Sequence, residues 1–218
     1  ERSIVNGIVG LMATGGSTNH ALHLPAMAAA AGIILTVEDF AEISAVTPLL
    51  ARVYPNGPAD VNHFHAAGGM GFLVRELLNV GLLDGTAMGV GGPIARYCEE
   101  PFLNDGKVEW RPAPEESGNA DILRHAYDPF SKDGGLRMMS GPIGLGVSKV
   151  SAVQPEKRVL EAPAMVFDSQ EALKEAFDAG KLNKDFVAVV RFQGPSANGM
   201  PELHSLTPPL AVLQDKGF

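Results

Sequence analysis

Residues 191–204 read RFQGPSANGMPELH, and the fold turns on how this stretch joins its neighbours. Before it, Asp185-Phe-Val-Ala-Val-Val-Arg-Phe192 has a continuous apolar, β-branched centre, the pattern of a short buried strand. After it, Leu203 to Gln214 has helix-compatible apolar spacing, which Pro208-Pro209 prevents from being one unbroken helix. Between the two lie Gly194, Gly199, Pro195, Pro201, Asn198 and a single carboxylate, Glu202. A loop this constrained between two well-specified elements is a place for chemistry. Its plainer reading is a turn whose Glu202 favours the following helix N-terminus.

Working outward, residues 131–190 continue in the same strand-like character. MMSGPIGLGVSKVSA and RVLEAPAMVFDS carry glycines and prolines spaced like bends. Gln170 to Ala179 reads as one short helix ended by Gly180. Upstream of Asp128-Pro-Phe-Ser-Lys-Asp-Gly-Gly135 the character is helical. Ile4, Val5, Ile8, Leu11 and Met12 share one face of a helix that Gly15-Gly16 stops. A second helix, capped by Ser17, Thr18 or Asn19, runs to Ala31. Ile33 to Thr36 reads as a short buried strand and Asp39 to Val46 as an amphipathic helix. Phe72, Leu73, Leu77 and Val80 line a further helix between Gly68-Gly69 and Gly81. Residues 84–118 form a surface excursion around a short strand, Val108 to Trp110. The expected class is α/β, with a boundary near residue 130 separating 1–130 from 131–218.

The 218 residues suffice for one large domain or two modest ones. A formal charge of −8 without an offsetting Lys/Arg cluster argues against nucleic acid. One cysteine, Cys98, excludes a disulfide framework and a self-contained Cys-ligated cluster, and reads as a buried or idle thiol. No apolar run approaches the roughly 20 residues of a membrane span, and no signal-peptide pattern opens the chain. The expectation is a soluble, cytoplasmic protein. Because the chain starts at Glu1 and stops at Phe218, where another strand could follow, it is also expected to be part of something longer.

Two more stretches carry candidate chemistry. Gly15-Gly16-Ser17-Thr18-Asn19 places hydroxyls and free N–H groups at a helix start, where an anionic group would be held without a lysine; an ordinary glycine stop with a Ser/Thr cap is the alternative. Neither G-x-G-x-x-G nor a P-loop lysine is present, so a nucleotide site is poorly supported. His63-Phe-His65, read as extended chain, puts two imidazoles on one side, able to share a metal or to hydrogen-bond a sugar-like substrate, with Asp60 and Asn62 nearby. His20 and His23 lie three apart on one helix face, read as a polar face. Glu202, after Gly199-Met200-Pro201, offers rigidly held carboxylate oxygens of the kind a hard cation such as Mg²⁺ takes.

Taken together, ATGGSTNHALHL (13–24), YPNGPADVNHFHAAGG (54–69), SGPIGLGVSKVSAV (140–153) and VVRFQGPSANGMPELHSLTPPL (189–210) resemble the dihydroxy-acid/6-phosphogluconate dehydratase family, in that family's order and across nearly the whole chain. His20, the NGPADVNHF run and the GPSANGMPELH loop resemble the 6-phosphogluconate branch. The resemblance implies a hydro-lyase that converts 6-phospho-D-gluconate to 2-dehydro-3-deoxy-6-phosphogluconate in the Entner–Doudoroff pathway. It also implies an iron–sulfur cluster of the 4Fe–4S type, a Mg²⁺-type cation with Glu202 among its ligands, and a homodimer. The fold implied is the back part of an N-terminal α/β domain followed by the start of a swivelling β-barrel-like domain. Ser17, Thr18, Asn19, His63 and His65 are the candidate substrate-binding residues for a phosphorylated sugar acid. The family's cluster cysteines and other metal carboxylates lie before the position matching Glu1, and its D-G-R-x-S-G serine base after that matching Phe218. The resemblance therefore implies that these 218 residues alone are inactive. The alternatives are a dehydratase for another aldonic or dihydroxy acid, and a non-catalytic module binding a sugar acid or phosphate.

Overall fold

A computed structural model describes all residues, 1–218. Eight α-helices follow one another as α1 (Arg2–Thr14), α2 (His20–Ala30), α3 (Val37–Val46), α4 (Val61–Ala66), α5 (Gly69–Asn79), α6 (Gln170–Asp178), α7 (Pro195–Asn198) and α8 (Thr207–Asp215). The strands are β1 (Met88–Gly89), β2 (Gly92–Pro93), β3 (Glu99–Asn104), β4 (Lys107–Pro112), β5 (Leu136–Gly141), β6 (Gly144–Lys149), β7 (Ala164–Phe167) and β8 (Val187–Val190). The chain divides into two compact units, Glu1–Ser17 with Leu35–Gln154, and Thr18–Ile34 with Pro155–Phe218.

The first unit is built on the apolar stripes of α1 and α5. Val9 and Ala13 meet Phe72, Leu73 and Leu77, and Leu50, Ala51 and Leu123 complete a buried cluster. Burying side chains of this size contributes roughly 1.5–3 kcal/mol each, the term that holds two marginal helices in place. Gly71 lets α5 approach the segment after β4, since a Cβ there would lie 2.7 Å from that of Ala113. Two extended stretches cross the cluster's rim, paired through isolated bridges Leu49 to Ser131 and Ala51 to Leu123. The antiparallel hairpins β3–β4 and β5–β6 carry mostly exposed side chains, and the first of them falls within 84–118, the stretch read as a surface excursion.

The second unit centres on β7–α6–β8. The two strands pair in parallel, Ala164 opposite Val187 through Phe167 opposite Val190, and α6 is the crossover. Ser169 caps α6 by accepting a hydrogen bond from the Ala172 amide. Phe167, Leu173, Leu182 and Leu213 form the core, with Leu213 supplied by α8. Pro208 and Pro209 sit in the first turn of α8, where missing N–H groups cost nothing, and a separate 3₁₀ turn (His204–Leu206) precedes it. Phe192, two residues after the end of β8, has φ 60°, a left-handed conformation costly for a bulky side chain and a sharp change of direction into residues 193–203.

The class is mixed α/β, as expected, but every sheet has two strands and none closes into a barrel. Two local expectations are overturned. Ile33 to Thr36 form no strand: no partner strand lies beside them, and Thr36 instead caps α3 in a capping box with Asp39. His63 and His65 do not lie on extended chain either. Asp60 accepts from the Asn62 and His63 amides and starts α4, so the two imidazoles point about 200° apart around a helix axis.

Candidate functional site

Glu202 sits on the loop between α7 and the 3₁₀ turn, with Pro201 buried beneath it and its own side chain 58% exposed. Gly199, at φ 63° and ψ −110°, turns the chain out of α7 in a conformation closed to residues with a Cβ. Three side chains from elsewhere in the second unit fix the result. Asn19 Nδ2 donates to Glu202 Oε2 at 2.5 Å, while Asn19 Oδ1 accepts from the Leu203 amide at 3.3 Å, so one carboxamide clamps both side chain and backbone. His23 Nε2 donates to the Pro201 carbonyl at 2.9 Å and lies 3.6 Å from Glu202 Oε1. That bond commits Nε2 to carrying a proton, so it is not a metal-ligating nitrogen in this arrangement. Gln170, the first residue of α6, donates to the Glu202 carbonyl at 2.8 Å. Its Oε1 is buried without a donor, an orphaned acceptor beside the loop.

The GGSTN stretch is held differently from the expectation. Gly15 is the left-handed C-cap of α1, and the Gly15 and Gly16 amides bond back to Met12 and Leu11. The first amides of α2 bond to the Thr18 and Asn19 carbonyls. Neither Ser17 nor Thr18 is the N-cap of α2, and Asn19, which is, makes no capping bond because its Oδ1 is engaged by the Leu203 amide. The amides of Gly15, Gly16, Ala21, Leu22 and His23 are therefore taken up, and the carbonyls of Gly15 and Gly16 meet side chains.

Those carbonyls are clasped within the first unit by residues the sequence reading missed. Asn56 donates to the Gly15 carbonyl at 2.6 Å and accepts from the Ser151 hydroxyl at 2.8 Å, though it is 41 residues from one and 95 from the other. Lys149 Nζ donates to the Gly16 carbonyl at 2.8 Å, and burial pushes its pKa down from the usual 10.5. NGP and SKVSA contained these residues, but nothing local in either sequence says they converge on glycines 15 and 16.

Of the predicted site residues, the structure brings Asn19 to Glu202. His63 and His65 lie exposed on α4, with His63 Nδ1 held by Asp60 Oδ1 at 2.8 Å. No three His, Cys, Asp or Glu side chains gather as a metal-ligand group. Glu202 with the orphaned Gln170 oxygen fits a share of a hard-cation shell, which takes six or more oxygens, and is too little for a whole one. An iron–sulfur cluster does not fit these residues. Cys98 is the single thiol, and burial raises its pKa, away from the thiolate a cluster needs.

Residues 1–96 match the family described as dihydroxy-acid/6-phosphogluconate dehydratase N-terminal, and residues 121–217 its C-terminal counterpart. Over 219 residues the chain is 61% identical to a phosphogluconate dehydratase of Pseudomonas aeruginosa and 55% identical to that of Escherichia coli K12, covering 100% of this chain and 36% of each relative. A dihydroxy-acid dehydratase of Nitratidesulfovibrio vulgaris is 38% identical over 215 residues, covering 97% of the chain and 36% of that protein. The chain thus spans 36% of the length of these curated relatives.

Proposed function

Because the chain belongs to the dihydroxy-acid/6-phosphogluconate dehydratase family, we propose that it is part of a hydro-lyase that dehydrates 6-phospho-D-gluconate to 2-dehydro-3-deoxy-6-phosphogluconate, the Entner–Doudoroff reaction. Identity of 61% and 55% to phosphogluconate dehydratases, against 38% to a dihydroxy-acid dehydratase, supports the phosphorylated sugar acid as substrate. The observation that carries the reading is the clamped Glu202, a carboxylate held by Asn19, with its backbone held through Pro201 by His23 and directly by Gln170.

In this reading the proton leaves C2 and the hydroxyl leaves C3, together one water, and the resulting enol becomes a 2-keto acid. A divalent cation, if held by Glu202 together with ligands from outside these residues, would supply Lewis-acid charge at the acid end of the substrate. Glu202 contributes one hard oxygen toward the cation, and the Asn19 carboxamide fixes which carboxylate edge is presented. Ligand orientation of this kind is worth about 10- to 100-fold in affinity or activity. The Pro201 carbonyl, held by His23, keeps the loop from relaxing away from that pose. Ser17, Thr18, His63 and His65 remain candidates for contacts to substrate hydroxyls or phosphate, and Asn19 acts on Glu202.

The wider assembly follows from the same reading. It comprises an N-terminal α/β domain ending near residue 130, the start of a swivelling β-barrel-like domain over 131–218, a cytoplasmic homodimer, and cluster ligands and base outside these residues. These 218 residues alone are then inactive. No helix is long and apolar enough to cross a membrane. The deciding experiment is Glu202→Gln in the complete protein. We expect turnover to fall about 100-fold or more with the melting temperature nearly kept, since Glu202 is exposed and its loss removes one surface hydrogen bond. Near-normal turnover of Glu202→Gln at limiting Mg²⁺ would refute the assignment.

A further inference from the structure

The bridged segments in the first unit carry a second constellation. Leu49–Val53 runs antiparallel to the stretch around Leu123, with Arg52 N bonded to the Ile122 carbonyl and Arg124 N to that of Leu50, each at 2.8 Å. Ala51 and Leu123, directly paired, are fully buried in the core, and alternation along the two stretches sends their neighbours Arg52 and Arg124 to the opposite face together. Both guanidinium carbons lie over one ring, Phe130, at 5.1 and 4.4 Å from its centroid. Two cations stacked on one ring repel each other. Arg124 has partial relief, with Asp128 at 3.9 Å and Nε donating to the Ala120 carbonyl, whereas Arg52 forms no ion pair. In a chain of formal charge −8, an arginine without a carboxylate beside a second arginine calls for an explanation.

The two side chains line an open cleft of about 520 Å³, together with Asn56, His63, Asn119 and Asp121 among others. Asn119 Oδ1 is occupied by the Asp121 amide, so its Nδ2 is the polar group remaining for the cleft. His63 Nδ1 is occupied by Asp60, leaving Nε2. The Asp121 carboxylate is the one opposing charge in the lining. Two guanidinium forks, an amide and an imidazole are donors suited to the several oxygens of a phosphate monoester, and the dianion would relieve the Arg52–Arg124 repulsion.

We propose that this cleft binds the phosphate end of the phosphorylated sugar acid, with Arg52 and Arg124 as its specificity-determining residues. The proposal rests on the reaction assigned above, and deepens it by naming the residues that recognise the phosphate. It is tested in the complete protein with Arg52→Gln, Arg124→Gln and the double variant, assayed on 6-phosphogluconate and on unphosphorylated gluconate. Losing charged hydrogen bonds to the phosphate should raise KM for the phosphorylated acid roughly 10- to 100-fold with kcat nearly unchanged, leaving kcat/KM on gluconate as it was. Arg52→Lys, which keeps the charge and loses the fork, should fall between. Equal loss on both substrates, or no loss on either, would overturn the proposal. A second arm follows the phosphorus NMR signal of inorganic phosphate and of glycerol 3-phosphate with and without protein. Broadening by wild type that disappears in the double variant supports the cleft even if 6-phosphogluconate proves not to be dehydrated, an outcome that would sink the reaction alone. Broadening that survives the double variant, or none with wild type, overturns the phosphate site.

Discussion

Asn56→Ala tests how the GGSTN stretch is held. The Asn56 side chain is 9% exposed, donates to the Gly15 carbonyl at 2.6 Å and accepts from Ser151 at 2.8 Å. Truncation removes two buried hydrogen bonds, each about 1 kcal/mol net, and strands a carbonyl and a hydroxyl with their own desolvation penalties, so the expected loss is about 2–4 kcal/mol. The same contact predicts a coupling. A Cβ on Gly15 would sit 1.9 Å from Asn56 Nδ2, and Gly15 also has φ 57°. Gly15→Ala in wild type therefore meets both a collision and left-handed strain, whereas in the Asn56→Ala background the strain of about 1–2 kcal/mol and a tight contact with Leu49 Cδ1 at 3.1 Å remain. Urea unfolding followed by far-ultraviolet circular dichroism on the four proteins gives the cycle, with the slope in urea checked for constancy. A loss under about 0.5 kcal/mol for Asn56→Ala, or a Gly15→Ala penalty equal in both backgrounds, would refute the clasp.

Lys149 has a folded pKa depressed by burial, so the unfolded chain binds more protons and stability rises with pH through the window below 10.5; Lys149→Gln should flatten that rise, read as urea midpoints between pH 8 and 10.5. Asp84 is shifted the other way, below its usual 3.8, chiefly by hydrogen bonds from Thr86, so its contribution is present above that pH and lost as pH falls through the lowered value; Thr86→Ala should reduce the acid sensitivity relative to wild type in the same measurement. Gly71→Ala should cost about 1–3 kcal/mol by driving α5 against Ala113, whereas Gly146→Ala, with no atom within 4 Å, should change thermal stability little. His125→Ala leaves the Glu76 carboxylate, buried and 3.2 Å from His125 Nδ1, with the Ala126 amide as its remaining partner, and should lower stability by about 3 kcal/mol in thermal denaturation.

Period and punctuation made much of this fold readable. The apolar stripes of α1 and α5, the Gly15 and Gly81 stops, and the β7–α6–β8 sequence of apolar run, amphipathic helix and apolar run are local properties, and each formed where read. The misreadings were also local, but settled by a competing motif. Thr36 and Asp60 are capping residues, and a cap with its N3 partner outweighed the extended pattern of ILT and the i, i+2 histidines. The candidate site was legible only as parts. Glu202 stood out through the rigid loop around it, but its partners Asn19, His23 and Gln170 lie 183, 179 and 32 residues away and carry no local mark of their role. Asn56, Lys149, Arg52 and Arg124 went unnoticed for the same reason: a polar residue acquires its partner through the packing of the residues beside it.

The pairing of β7 with β8 has a practical side. Two strands bonded to each other leave both outer rims of the pair as rows of backbone donors and acceptors without a strand alongside. The rim of β8 belongs to VAVV, a short β-prone run lacking charge or proline. Intermolecular pairing there would propagate from copy to copy, so the polypeptide handled at high concentration should lose material to fibrous or gel-like deposits before it loses helix. A lysine in place of Val189, an exposed position within the run, is the gatekeeper that should keep it in solution.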